Sequence, residues 1–301
     1  MSNNNIIKGV FLVALGATSY GMLATFVKLA YQENFTTAEV TSSQFIYGII
    51  GVLIINLFQR TKNNNTAVKA TSKNIMHLML AGTSLGMTSV FYYLAVKYIP
   101  VSIGIVLLMQ TVWMGVLLEW FLDKKAPSFQ KIIAVLIVLI GTALAINIFK
   151  IDFNDTTINW SNGIFWGILA AASFTTTMFT ANKVALGISS AQRSLYMLLG
   201  GAVIVFGFSV YTQTAPFNFE IFTKWGIILA LFGTIIPPML LNAGFPHTGI
   251  GLGSIVSSLE LPVSVLMAFF LLNESVLLIQ WIGIVLIIFA IVIMNIQFHK
   301  K

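Results

Sequence analysis

A chain of 301 residues that is 57% hydrophobic and only 8% charged cannot cover itself with polar surface, because a soluble domain carries roughly 25% charged residues. Its net charge of +7 could suit nucleic acid, but the basic residues are scattered between apolar runs and form no patch, so lipid replaces nucleic acid as the expected surrounding. The absence of cysteine excludes disulfides, thiolate metal sites and cysteine nucleophiles.

A spanning helix needs about 20 mostly apolar residues, and the runs between polar breaks predict ten of them. The first, 6–30, continues well past the ~7 to 15 residues of a signal-peptide core and reads as a retained helix with Ser19 and Tyr20 near its middle. The second covers 38–58 and is followed by the basic link QRTKNNNTAVKATSK; the third, 73–96, carries Tyr92 and Tyr93. The fourth, 100–122, holds Gln110, Thr111 and Trp113; the fifth covers 128–149; the sixth, 161–183, holds Ser173, Phe174 and Thr175. After 191–211 comes 222–243, in which Pro237 and Pro238 remove two successive helical donors and predict a break or strong bend, with Asn242 just beyond. The last two are 248–272 and 276–297, and the ninth contains Glu260 and Pro262.

Lysine and arginine set the orientation. With the N-terminus inside, the inner segments hold Lys8, Arg60, Lys62, Lys69, Lys73, Lys124, Lys125, Lys131, Lys183, Arg193, Lys300 and Lys301, against Lys28, Lys97, Lys150 and Lys224 outside. Both termini are thereby expected in the cytoplasm.

The chain also matches itself at half its length. YYLAVKYIPVSIGIVLLMQTVWMGVLLEWFLDKKAPSFQ aligns with LNAGFPHTGIGLGSIVSSLELPVSVLMAFFLLNESVLLIQ, bringing Leu122 onto Leu272, Gln110 onto Glu260 and Gln130 onto Gln280; KGVFLVALGATSY aligns with NGIFWGILAAASF. Five helices per half is an odd number, so the second half must be inverted. The expectation is an all-α integral membrane protein of two inverted five-helix repeats, 1–150 and 151–301, an architecture of secondary transporters that bind near the midplane.

The ALGATSYG stretch, the YYLAVKYIPVSIGIVLL junction and a proline about a dozen residues before LNES resemble the EamA-type members of the drug/metabolite transporter superfamily, over essentially the whole chain. The family's Gly-Glu after the ninth helix reads Asn273-Glu274 here, and its counterpart reads Asp123-Lys124. The resemblance implies a multi-pass protein of the bacterial inner membrane that moves small metabolites such as amino acids, often outward, from a cavity between the halves.

Glu260 is the residue this chemistry turns on. At about 100° per residue, Gly249, Gly253, Ser257, Glu260 and Ser264 fall within roughly 80° of one another, so the acid shares the small-residue face that packs on other helices. An intramembrane acid costs a few kcal/mol on insertion scales; three roles are open to it, as substrate ligand, proton carrier or structural tie. Pro262 cannot donate to the Ser258 carbonyl, which predicts an unpaired acceptor and a hinge beside the acid. Gln110, Thr111 and Trp113 are expected across the pseudo-twofold axis, with Ser19, Tyr20, Tyr92, Tyr93, Ser173, Phe174, Thr175 and Asn242 as further cavity candidates, and Pro237 and Pro238 as a second hinge.

His77, His247 and His299 are far apart and form no metal motif, and no GxxxxGK phosphate loop is present, so no cofactor or direct ATP drive is expected. A secondary transporter with a small-molecule substrate, and a coupling proton as one option, is the leading reading. An integral-membrane enzyme with Glu260 as base and a non-transporting scaffold are the alternatives, and the repeat weighs against the enzyme. Oligomeric state, substrate and direction are not encoded in any motif.

Overall fold

The computed structural model describes residues 3–62, 70–152, 155–156, 158–273 and 275–296. Lys69, Glu274, Lys300 and Lys301, used above for orientation or family pattern, lie outside the described residues. Every regular element among the described residues is helical, as expected of a chain whose backbone must satisfy its own hydrogen bonds in lipid.

The first half contains α1 (Asn3–Gln32), α2 (Thr37–Lys62), α3 (Ser72–Tyr98), α4 (Val101–Leu108), α5 (Thr111–Asp123) and α6 (Phe129–Ala145). The second contains α7 (Trp160–Lys183), α8 (Ser190–Thr212), α9 (Ile227–Ala230), α10 (Ile236–Ser257), α11 (Glu260–Leu272) and α12 (Leu278–Ile296). Polar caps start several of them: Thr71, Ser128, Asn159 and Ser189 each accept an amide of the first turn. Seven helical stretches among the described residues are long and apolar enough to cross a membrane, and the shorter apolar α6 and α12 pack on each other.

One of the seven, Phe222–Leu272, runs for 51 residues. At about 1.5 Å per residue it is more than twice the ~30 Å of a hydrocarbon core. It changes direction at Gly249, whose φ of 75° and ψ of 175° are accessible to glycine and strained for other residues. The predicted loop between the eighth and ninth spans thus reduces to a single residue, and His247 belongs to the arm before it.

The predicted break at Pro237 and Pro238 is not there. A π turn, Leu231–Ile235, precedes them, and the Ile236 amide reaches back to the Leu231 carbonyl, so the prolines enter α10 in its first turn, where their missing N–H groups cost least. A real interruption lies elsewhere, in both halves. Met109 (φ −66°, ψ −9°) and Gln110 (φ −60°, ψ −18°) separate α4 from α5; Ser258 (φ −62°, ψ −11°) and Leu259 (φ −59°, ψ −20°) separate α10 from α11. α5 and α11 each run 13 residues and end on a left-handed residue, Lys124 and Asn273.

Those matched breaks correct the repeat register by one residue: Thr111, rather than Gln110, stands at the Glu260 position, because both open their helix. Apolar strings slide past one another at no cost in an alignment, whereas backbone turns do not. The sequence register is regained beyond the α5–α6 link, where Gln130 of α6 donates to the Ile293 carbonyl of α12 at 2.8 Å and Gln280 of α12 donates to the Ala145 carbonyl of α6 at 2.9 Å.

The packing is paired in the same way. α1 lies on α10 and α11; α7 lies on α3, α4 and α5; α2 lies on α8; α10 also lies on α5. Where α3 crosses α8, Gly200 sits so close that a Cβ there would overlap the Met79 carbonyl, the small-residue packing that lets membrane helices approach. Val112, Val116, Met178, Leu241, Phe245, Ile250 and Leu252 fill the space between α5, α7 and α10 with a dry core.

Candidate functional site

The opposite end of the helix assembly is hollow. A cavity of about 570 Å³ is lined by residues of α1, α2, α3, α4, α7, α11 and the π turn at Leu231–Ile235. Its lining reaches Ser275 in the α11–α12 link, which is exposed, so it opens on the face that carries the α1–α2 turn and closes on the dry core.

Glu260 sits on its wall as the first residue of α11, directly after the interruption at Ser258 and Leu259. The interruption is a tightening of the hydrogen bonds within right-handed backbone, Leu259 donating to Val256 and Leu261 to Ser258 at 3.2 Å each. The Ser258 carbonyl is not orphaned, contrary to expectation: it accepts the Leu261 amide at 3.2 Å. Pro262 occupies the first turn of α11, where no donor is missed.

The other acids show what is unusual about Glu260. Glu39 accepts from the Thr36 and Asn218 amides at 2.7 Å each and from Gln213. Glu119 pairs with Lys131 and Asp123 with Lys183, while Glu33 and Glu220 pair with Lys224. Among the described residues no protein hydrogen bond or ion pair reaches the Glu260 carboxylate. Its surroundings are the phenols of Tyr20 and Tyr92. An acid held on a cavity wall without a protein partner is free to take one from solution.

Five expected residues are brought together on this wall: Glu260, Tyr20, Tyr92, Tyr93 and Phe174. Tyr20 meets Phe174 edge to face with ring centroids 6.1 Å apart, and Tyr93 links Tyr92 to Tyr31 at 5.8 and 6.5 Å. The rest stand off it. Gln110 donates to the Val106 carbonyl and accepts from the Trp113 indole at 2.9 Å, a knot closed within one helix turn. Thr111 bonds Thr175 at 2.8 Å between α5 and α7, Ser19 donates to the Phe232 carbonyl, and Ser173 donates to the Ser84 carbonyl. Asn242 lies deeper, donating to Ser194 at 2.9 Å. Polar side chains inside a span also serve to hydrogen-bond one helix to another.

Sequence reasoning missed Gln44, Thr25, Ser89, Thr234 and Tyr31 on the wall, and counted Lys28 only among the outer charges when it also lines the cavity. Gln44 and Thr234 are joined through a 2.9 Å bond from the Thr234 hydroxyl to the Gln44 carbonyl, at the π turn; such turns recur at functional sites. No local sequence signal marks a π turn, but the two prolines after it do mark its end. Glu119 was also missed: its carboxylate, paired with Lys131, presses on Gly249 and Gly251 at the bend of the long segment.

Arg193, expected as an interfacial charge, is 2% exposed. It donates to the carbonyls of Thr180, Ala181, Val184 and Asn242, binding the open end of α7 to α10. No group of three or more metal-ligating side chains occurs among the described residues.

The EamA-like transporter family matches the chain twice, over residues 7–147 and 161–296. A solved structure described only as "Crystal structure of protein" superposes with a TM-score of 0.78 at 12% identity, covering 99% of both chains; at that identity it speaks for the fold alone. Among curated proteins none matches.

Proposed function

We propose that this chain, which belongs to the EamA-like transporter family, carries small organic solutes through the Glu260 cavity by alternating access. It is a multi-pass integral membrane transporter of the drug/metabolite type. The finer reading is ten spans: Phe222–Leu272 crosses twice about Gly249, α4 and α5 form one broken span, and α6 and α12 cross as shorter helices. The halves, 1–150 and 151–301, are then inverted repeats. The lysine and arginine distribution supports a cytoplasmic position for both termini, which makes the hollow end the outer one.

The observation that carries the proposal is the unpartnered carboxylate on the wall of a solvent-reaching cavity. A volume of about 570 Å³ is in the range of small-molecule sites, roughly 300–1,000 Å³. The Glu260 carboxylate binds an ammonium or exchanges it for a proton, and the phenols of Tyr20, Tyr92 and Tyr93 with the Phe174 ring hold an apolar body. Amino acids and related solutes combine these features, and export is the direction. Gln110, Thr111, Trp113, Ser19, Ser173 and Thr175 serve the packing around the path, while Pro262, Pro237 and Pro238 lie in the first turns of α11 and α10.

Purified protein reconstituted into liposomes and offered a panel of amino acids and amines tests this. Flux of at least one panel member is expected; no flux of any, from protein that melts cooperatively, counts against the transport reading.

A further inference from the structure

Behind the Tyr20 and Phe174 rings lies a second, smaller void of about 10 Å³, lined also by Leu85, Ala181, Phe245 and Asn242. Tyr20, Leu85 and Phe174 border both it and the large cavity, so the ring pair is a partition with space on each side. The void points away from the open face, toward the Arg193 cluster. We infer that the Tyr20–Phe174 pair is the barrier across the solute path, and that a solute passing it next meets the carboxamide oxygen of Asn242.

Three observations support this. Asn242 is 2% exposed and its Nδ2 is spent on Ser194, yet its Oδ1 has no donor; an orphaned buried acceptor is a standing cost of about 1–3 kcal/mol that a passing N–H or ammonium would relieve. The neighbouring polar groups cannot serve instead, because Arg193 is committed to four carbonyls and Asn182 donates to the Phe245 carbonyl at 2.6 Å. Finally, Asn242 stands on the stretch of α10 from Pro238 to Phe245 that walls the void, facing Phe174, Met178 and Ala181 of α7 across it. At about 10 Å³ the void is no larger than the minimum of ~10–15 Å³ that a single water needs and leaves no space for a solute, as a closed leg of a path should. The purpose assigned to the path rests on the transport reading; its location does not.

Because the chain has no cysteine, Ala181→Cys provides a unique thiol facing the void, and Ser89→Cys one on the large cavity. In full-length protein in liposomes, a cationic, membrane-impermeant methanethiosulfonate is expected to modify Ala181→Cys slowly, and at least about tenfold faster when Phe174→Ala is added. Modification of Ser89→Cys should be unchanged by Phe174→Ala, which also reports that the fold is intact. In the Phe174→Ala, Ala181→Cys protein, Asn242→Leu should lower the rate of the cationic reagent relative to a neutral one of equal size. An Ala181→Cys rate indifferent to Phe174 overturns the barrier, and an unchanged cation-to-neutral ratio overturns the role of Asn242. Neither readout needs a transported solute, so either can fail while flux is observed, or hold while it is not.

Discussion

The guanidinium of Arg193 donates at 2.6 Å to the carbonyl of Asn242, the acceptor that Pro246, four residues later in α10, has no amide to satisfy. An arginine from α8 thus replaces a missing helical bond in α10 while it caps the end of α7. Removing it leaves several buried acceptors unpaired at about 1–3 kcal/mol each. Arg193→Met is expected to lower stability by about 3 kcal/mol or more, measured by thermal unfolding in detergent. Adding Pro246→Ala, which restores the amide, should recover part of that loss; a double mutant no more stable than Arg193→Met would break the link.

Gly249 is doubly constrained. Its φ is positive, and a Cβ would come within 2.7 Å of a Glu119 carboxylate oxygen. Gly249→Ala should therefore cost at least the roughly 1–3 kcal/mol of a backbone conformation open essentially to glycine alone, with the Glu119 side chain forced to move in addition. Removing the obstacle with Glu119→Ala should make the glycine substitution less damaging than in the wild-type background. Additive melting-temperature losses would show that the carboxylate does not crowd the bend.

The break between α10 and α11 precedes Pro262, which sits in the first turn of the new helix. Pro262→Ala gains an amide that can donate to Ser258 and extend the helix across the break. Stability should change by less than about 1 kcal/mol, while turnover falls more than substrate affinity. A variant whose affinity alone collapses would instead make Pro262 a shaping element of the pocket.

Gln110 is expected to be dispensable for flux. Its amide is closed on Val106 and Trp113, and Thr111 occupies the position equivalent to Glu260. Gln110→Ala should retain flux within about twofold of wild type; loss comparable to that of a Glu260 variant would restore it to the site.

The long apolar helices were legible because each is a run of about 20 residues, and so was the oddity of Glu260, since an acid in such a run is costly. What was hidden is nonlocal. The interruption at Met109 and Gln110 has no proline or glycine to announce it, whereas its counterpart at Ser258 has Pro262 close behind. Glu119 carries no local signal, because its partner Lys131 lies across a link and the glycines it touches come from the other half. Arg193 read as a topology charge for the same reason: its acceptors at Thr180 and Asn242 are brought to it only by the packing of α7 and α10. Composition reports which residues can live in a membrane, and periodicity which face they share; neither reports which carbonyl a proline has left open on another helix.

The most direct test of the account is flux of the panel solutes through wild-type and Glu260→Gln protein in liposomes, across a range of pH, with melting curves taken on both. The account predicts equal melting, since among the described residues no protein group pairs with the Glu260 carboxylate, and at least about a tenfold loss of flux. A Glu260→Gln protein that carries the same solute at the wild-type rate, with the same pH profile, would contradict it.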